Sequence, residues 1–356
     1  MRELRWVVVL LLVVVRGAWG FSLCRGHVHL VRHVSLQTTA RSVGVEEEIV
    51  GSSGGGTLRK AGRLLYKFSR PHTIKGTVLA STVGVTRALL ENPGAVSLKL
   101  VPRALIGLLA LLAGNAYIVG INQIYDVKID EINKPFLPIA AKMLTEKQAW
   151  RIVISCLCLG VGIVFTQFSP FIRGLYALGV VLGTAYSVPP LQFKRLPLLA
   201  GSIIACVRGF LLNFGVYYAV REALHVPFKW NPIVVFISSF MTVFATVIAV
   251  TKDLPDVEGD RKYNIETFAS KYGVEAIAMG STVVLSLAYT AAIALPILRK
   301  DLPFKRIPMM AGHAASLAYY LISYSQLQPS SMVSIKAYYR RIWDLFYAEY
   351  ILYLLF

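Results

Sequence analysis

Long apolar runs, broken by short polar connections that carry Pro, Gly and charge, make up most of the chain beyond residue 70. They fall at approximately 72–91, 103–124, 150–167, 171–187, 197–219, 232–252, 274–298, 306–327 and 338–356. A helix of about 20 apolar residues spans the hydrocarbon core of a bilayer. The pattern therefore predicts an all-α, multi-span membrane protein of about nine transmembrane helices, although several runs are amphipathic or interrupted. Thr145-Glu-Lys-Gln148 has the Thr-x-x-Gln spacing of a capping box and predicts the start of the third helix after the Pro135 and Pro138 loop.

The N-terminal segment has a different pattern. Arg2, Arg5, the apolar run from Trp6 to Val15 and the small-residue exit Ala18-Trp-Gly20 predict a signal peptide over 1–20. The run is short for a membrane span, and a signal anchor is the alternative. From Phe21 to Val45 there is no Asp or Glu, while Arg25, Arg32, Arg41 and three histidines are scattered among Ser and Thr. That composition resembles a transit peptide. With Glu46-Glu-Glu and the glycine-rich Gly51-Ser-Ser-Gly-Gly-Gly, residues 21–57 read as leader and linker, and 58–356 as the membrane domain. A two-part leader of this kind resembles those of proteins entering plastids bounded by more than two membranes.

Composition agrees with the membrane assignment. The 356 residues are 56% hydrophobic and only 16% charged, too apolar for an ordinary soluble domain, and the mean hydropathy is +0.59. The net charge of +18 is scattered between the apolar runs. It therefore fits connections facing anionic lipid, and no nucleic-acid partner is expected. Three of the four cysteines, Cys156, Cys158 and Cys206, lie in apolar runs, and neither a disulfide framework nor a zinc site follows.

Against this background two acidic stretches stand out. Asn122-Gln-Ile-Tyr-Asp126-Val-Lys-Ile-Asp130 closes the second run, and Lys252-Asp253-Leu-Pro-Asp256-Val-Glu-Gly-Asp260 closes the sixth. Residues four apart share a helix face, so Asn122, Asp126 and Asp130 form one stripe, and Asp256 and Asp260 another. Two facing stripes of oxygen donors suit Mg²⁺, which keeps several waters and is shared between a few carboxylates and substrate phosphates. The implied substrate is a diphosphate. The connections after runs 2, 4 and 6 all fall on one membrane face, so both stripes share a side. The connection after run 4 adds Lys194 and Arg195 there, and the basic Lys60, Arg63, Lys67 and Arg70 before run 1 agree with a stromal assignment.

These motifs resemble the UbiA-type intramembrane aromatic prenyltransferases. Arg70-Pro-His-Thr73, Asn122 to Asp130, Asn133-Lys-Pro-Phe-Leu-Pro-Ile-Ala-Ala141, Val207-Arg-Gly-Phe-Leu-Leu-Asn-Phe-Gly-Val-Tyr217, Thr251 to Asp260 and Tyr347-Ala-Glu-Tyr350 resemble the plastid homogentisate branch, closest to its solanesyltransferases. The resemblance covers roughly residues 65 to 356. It implies helices around a laterally open cavity, a plastid membrane, and the substrates homogentisate and a polyprenyl diphosphate. It also implies Mg²⁺ held by Asp126, Asp130, Asp256 and Asp260. Lys194 and Arg195, helped by Lys252 and by Arg261 or Lys262, would hold phosphate oxygens. Phytyl or geranylgeranyl transfer to homogentisate is the nearest alternative. A transporter would also have intramembrane charges, but the chain shows no two-half repeat.

Plainer roles compete for individual residues. Asn122 is a metal or phosphate contact, or a helix cap. Asp253 is a direct ligand or stands behind the ligands. Glu258 points outward, and Gly259 lets the backbone turn. Arg70 and Lys134 are candidates for the acceptor's carboxylate, with interfacial anchoring the bland role for Arg70 and His72. Arg208 and Asn213 either pack the fifth helix or line the cavity. The aromatic run from Tyr338 to Phe356 is expected to face lipid, with Glu349 paired to an arginine.

Overall fold

The computed structural model describes residues 54–262 and 266–356, with side chains from residue 59 onward. The predicted signal peptide, and the leader up to residue 53, lie outside the described residues. Helix α1 (Gly54–Phe68) begins within the glycines read as linker.

Among the described residues every regular element is helical. The long helices follow the apolar runs: α2 (Pro71–Glu91), α3 (Leu100–Tyr125), α5 (Glu146–Gln167), α6 (Pro170–Ser187), α9 (Pro232–Thr251), α12 (Val274–Leu298), α13 (Arg306–Ser325) and α14 (Met332–Tyr353). The fifth run is one rod in three parts: α7 (Pro197–Ile204), a π-helical stretch (Ala205–Leu211) and α8 (Leu212–Ala223). Short helices α4 (Val127–Asn133), α10 (Val257–Lys262) and α11 (Phe268–Tyr272) follow the second and sixth runs.

By length and composition, five spans qualify to cross a membrane among the described residues: Leu100–Tyr125, Glu146–Gln167, Pro197–Ala223, Pro232–Lys262 and Val274–Leu298. Helices α2, α6, α13 and α14 occupy the other predicted positions, but Ser, Thr, Tyr and charged side chains replace part of their aliphatic content. Among the described residues long helical rods occupy the predicted positions, and five of them are long and apolar enough to span; the predicted count of nine spans is not established by these.

Local signals place the boundaries. Pro occupies the first turn of α2, α6, α7 and α9, where its missing N–H costs nothing. The Thr145–Gln148 capping box is formed in both directions, and Ser169, Asn231 and Ser331 cap α6, α9 and α14.

The bundle has a solid half and a hollow half. In the solid half, Met241 and Phe244 of α9, Leu285 and Tyr289 of α12, Tyr320 of α13 and Tyr338, Phe346 and Tyr350 of α14 form one buried cluster. This corrects the expectation that the run from Tyr338 faces lipid. An aromatic with a polar tip is satisfied inside a bundle more readily than in lipid. Tyr338 Oη lies 2.9 Å from Tyr320 Oη and 3.1 Å from Thr282 Oγ1. Glu349 is also corrected: it pairs with His313, not with an arginine, Nε2 to Oε1 at 2.9 Å, and His313 Nδ1 lies 2.6 Å from the Met309 carbonyl oxygen. Both side chains are completely buried.

The hollow half encloses a cavity of about 360 Å³ between α2, α3, α5, α6 and the α7–α8 rod. Its wall is mostly aliphatic, running from Asn122 and Tyr186 at one end to Leu100 and Arg103 at the other. Leu100 and Asn122 lie on the same helix, so the cavity extends about 33 Å at 1.5 Å per residue.

Removing one member of a buried hydrogen-bonded pair leaves the other unsatisfied and costs about 1–3 kcal/mol. Glu349→Ala should therefore lower the thermal unfolding midpoint of the detergent-purified protein well below that of Glu349→Gln, which keeps a hydrogen-bond partner for His313. Equal midpoints would show that the pair contributes nothing.

Candidate active site

The first acidic motif straddles a helix break. The second-run helix α3 ends at Tyr125, Asp126 leaves helical geometry at φ −110° and ψ 10°, and α4 restarts at Val127. The three side chains therefore do not lie on one straight helix, as the i, i+4 spacing predicts. The stripe survives the bend: Asn122 Nδ2 donates to Asp126 Oδ2 at 2.8 Å, and the Asp130 N–H donates to the Asp126 carbonyl at 2.8 Å. In the second motif Pro255, which has no N–H to donate, sits in a 3₁₀ turn (Leu254–Asp256) between α9 and α10. The turn aims Asp256 inward, and α10 carries Asp260 on a buried face.

The two motifs meet at one end of the bundle, as the topology predicts. Lys134, just past α4, pairs with Asp256 across the gap and stands 4.0 Å from Asp130. Asn133 Nδ2 donates to Asp260 Oδ1 at 3.2 Å, and Thr267 Oγ1 lies 3.5 Å from Asp260 Oδ2. Gly259 makes this approach possible. A Cβ there would lie 1.9 Å from Asn133 Oδ1, so the glycine serves close packing inside a helix and not the turn expected of it. Asn133 itself is the residue sequence reasoning overlooked. Its position three residues after Asp130, on the same face of α4, is the signal that could have found it.

The cations predicted for the site divide into two groups. Lys194 pairs with Asp126. Arg70 Nη2 donates to Asn122 Oδ1 at 3.1 Å and lies 4.0 Å from Asp130, and Lys252 pairs with Asp253 at 2.6 Å. Arg195, Arg261 and Lys262 are exposed, and among the described residues none forms an ion pair with either motif. Glu258 is exposed, as expected. His72 packs its ring edge-on against Trp343 at 4.9 Å, and its carbonyl accepts from Tyr347 Oη at 2.9 Å. Asn213 donates to the Gly209 carbonyl at 2.6 Å within the π-helical rod, while Arg208 lines the cavity.

Burial raises the Asp130 carboxyl to about 6, with Lys134 and Arg70 pulling the other way and Asp126 and Asp256 adding to the rise. A carboxyl held that high competes for a proton below about pH 6, and a cation beside it would favour the ionised form. Among the described residues no three Asp, Glu, His or Cys side chains converge into a ready metal cage. Lysines and an arginine stand between the carboxylates instead. The donor set nevertheless fits a hard cation that takes only one or two carboxylates and draws its other ligands from water and phosphate. Asp130 Oδ2 is buried with no hydrogen-bond partner, an oxygen left open for such an ion. The arrangement is thus a charged cup at the mouth of an apolar cavity, suited to an amphiphile with a polyanionic head.

Comparison with known proteins agrees with this architecture. The model of the UbiA prenyltransferase family matches residues 78–345. A probable homogentisate phytyltransferase 2, chloroplastic, of Oryza sativa subsp. japonica is 53% identical over 288 residues, covering 80% of this chain and 76% of that protein. The chloroplastic homogentisate solanesyltransferase of Arabidopsis thaliana is 52% identical over 290 residues, with 81% and 75% covered. Among solved structures, a UbiA homolog from Archaeoglobus fulgidus bound to GPP and Mg²⁺ aligns over 82% of this chain and 100% of its own, with a TM-score of 0.58 at 18% identity. The chain belongs to the UbiA prenyltransferase family.

Proposed function

We propose that this protein transfers a long polyprenyl group, solanesyl, from its diphosphate to homogentisate in a plastid membrane, as a step in making plastoquinone. The observation that carries the reading is the charged cup, closed by the Lys134–Asp256 pair, over an apolar cavity about 33 Å long. The diphosphate is held in the cup while the isoprenoid lies in the cavity or extends into lipid. Relatives named for homogentisate and a fold neighbour bound to a prenyl diphosphate and Mg²⁺ support the choice of substrates and metal.

Asp126, Asp130, Asp256 and Asp260 would hold Mg²⁺, with Asn122 and Asp253 beside them. Bound there, the metal supplies charge neutralisation for the departing diphosphate. The chain's own cations do the rest of the binding. Lys194, Lys134, Lys252 and Arg70 are each within reach of a carboxylate and can exchange that partner for a phosphate oxygen through charge-assisted hydrogen bonds. Arg195 and Arg261, exposed at the same end, are placed to attract the polyanion as it arrives. The C–O bond to the diphosphate breaks and leaves an allylic cation. The apolar wall keeps water from capturing it, and Tyr186 brings an aromatic ring to the cavity mouth that can stabilise the charge. The electron-rich acceptor ring attacks the cation, and its displaced proton leaves. Loss of the acceptor's carboxylate as CO₂, with protonation of the remaining carbon, gives a 2-methyl-6-polyprenyl-benzoquinol.

The direct test offers homogentisate and Mg²⁺ to membranes carrying the protein, with solanesyl, phytyl and geranylgeranyl diphosphates in parallel. A decarboxylated solanesyl product should dominate. Preference for phytyl or geranylgeranyl would place the enzyme in tocopherol synthesis, and no product with any donor would refute the homogentisate assignment.

Asp126→Asn and Asp260→Asn should each lower kcat by a factor on the order of 10²–10³ or more while the protein stays folded in the membrane. Near-full Mg²⁺-dependent activity in either variant would refute the two-motif site. The tail's route has its own test. Gly179 lines the cavity on α6, nothing lies within 4 Å of where its Cβ would be, and it is two helical turns from Ser187, which touches Asn122. Gly179→Phe should plug the cavity about 12 Å below the cup. Turnover of solanesyl diphosphate should fall at least about tenfold while geranyl diphosphate is spared; equal loss for both donors would place the tail elsewhere.

A further inference from the structure

Arg208 is a cation without an anion. It sits in the π-helical stretch of the α7–α8 rod and lines the apolar cavity. Its Nη1 is buried with no hydrogen-bond partner, and among the described residues it forms no salt bridge. Its electrostatic neighbours are the hydroxyls of Tyr339, Tyr347 and Tyr350, and its guanidinium lies 5.6 Å from the centre of the Trp343 ring. The partly buried cations at the cavity mouth, Arg70, Lys134 and Lys194, all have carboxylates beside them.

Two features mark this as a built position and not an accident of packing. The rod departs from α-helical geometry at Arg208, a deviation that is frequent at functional sites. Gly209 beside it lets the α9 backbone close in, since a Cβ there would lie 2.4 Å from the Thr242 Cα. Gly76 on α2 faces the guanidinium, where a Cβ would stand 3.3 Å from Nη1. A second unpaired donor lies in the same cavity wall: Ser81 Oγ, buried on α2 with no partner. An unpaired charge in a membrane bundle is costly, and the Arg208 guanidinium in a mostly apolar wall calls for an oxygen anion.

We infer that Arg208 binds the carboxylate of the aromatic acceptor. The inference rests on the proposed reaction, which requires an acceptor bearing one carboxylate beside a donor bearing a diphosphate. The donor's diphosphate has four cations in the cup, whereas Arg208 stands apart from that set and offers a single fork suited to one carboxylate. Trp343 packs 5.6 Å from the guanidinium, which leaves its free edge toward the cavity.

The test compares homogentisate with its methyl ester, which lacks the charge, as acceptors for the membrane-embedded enzyme at saturating donor. In the wild type the acid should have the lower KM by a factor on the order of tenfold to a hundredfold, the value of a charge-assisted hydrogen bond in a buried site. Arg208→Gln should raise the KM for the acid by a similar factor, leave the KM for the ester unchanged, and leave the donor KM within about twofold. Arg208→Lys should recover part of the difference. A wild-type enzyme that takes ester and acid equally well overturns the inference whether or not the variants fold. A rise in donor KM in Arg208→Gln would assign the residue to the diphosphate and overturn it as well. Absence of any homogentisate product in the wild type, by contrast, refutes the proposed reaction itself.

Discussion

Charge balance at the mouth of the cavity is the constraint on which the rest of the structure depends. Five aspartates, Asp126, Asp130, Asp253, Asp256 and Asp260, are gathered against four cations, Arg70, Lys134, Lys194 and Lys252, leaving a formal excess of one negative charge. Asp130, Asp256 and Asp260 are nearly inaccessible to solvent. Buried carboxylates at the end of a membrane bundle persist only when paired or hydrogen-bonded. The lysines and Arg70 meet that need in the free protein. In the proposed reaction each can turn toward a phosphate when an incoming diphosphate takes over the compensation. The same groups thus satisfy stability in one state and binding in the other. The rise in the Asp130 pKa shows how little margin the compensation leaves.

The bundle is divided to serve that mouth. The motif that ends α9 is backed by the solid half, where α9, α12, α13 and α14 interlock through tyrosines and phenylalanines. Their hydroxyls bond one another, as at Tyr320–Tyr338, so the core is both apolar and internally satisfied. The motif that ends α3 belongs to the hollow half, where cavity-lining glycines on α3 and α6 thin the wall. Lys134–Asp256 and Asn133–Asp260 join the halves at the polar end. One side supplies rigidity and the other space, and the site lies where they meet.

What could be read from the sequence was whatever is encoded locally. Helix positions followed apolar runs, Thr145 and Gln148 announced their cap, and the acidic spacings placed both motifs at helix ends on one side. What could not be read depends on contacts between distant segments. Gly259 looked like a turn because glycine is permissive; only the approach of Asn133, 126 residues earlier in the chain (259 − 133), shows that the missing Cβ is the point. Glu349 was expected to find an arginine because a buried carboxylate needs a partner; it meets the His313 ring nitrogen instead. The α14 helix read as lipid-facing because aromatic residues suit both lipid and core. The distinction lies in partners for the tyrosine hydroxyls, and these come from α12 and α13.

The separation of charges within the hollow half also bears on how two anionic substrates share one enzyme. A diphosphate and a carboxylate brought together in a medium of low dielectric repel strongly, and the cations of one cup would be contested between them. In the proposed reaction Arg208, which has no carboxylate of its own among the described residues, removes the contest. In that reaction each anion is matched in charge to its own site, the cup with its four cations for the polyanion and the lone guanidinium for the monoanion. The reacting carbons are then the uncharged parts of both substrates, held between the two sites where the wall is apolar and water is excluded. An allylic cation formed in that interval is drawn toward electron-rich rings, since the negative charges are already engaged at either side. On this account selectivity between acceptors follows from where the chain leaves a positive charge unpaired, and selectivity between donors from how far the apolar wall continues behind it.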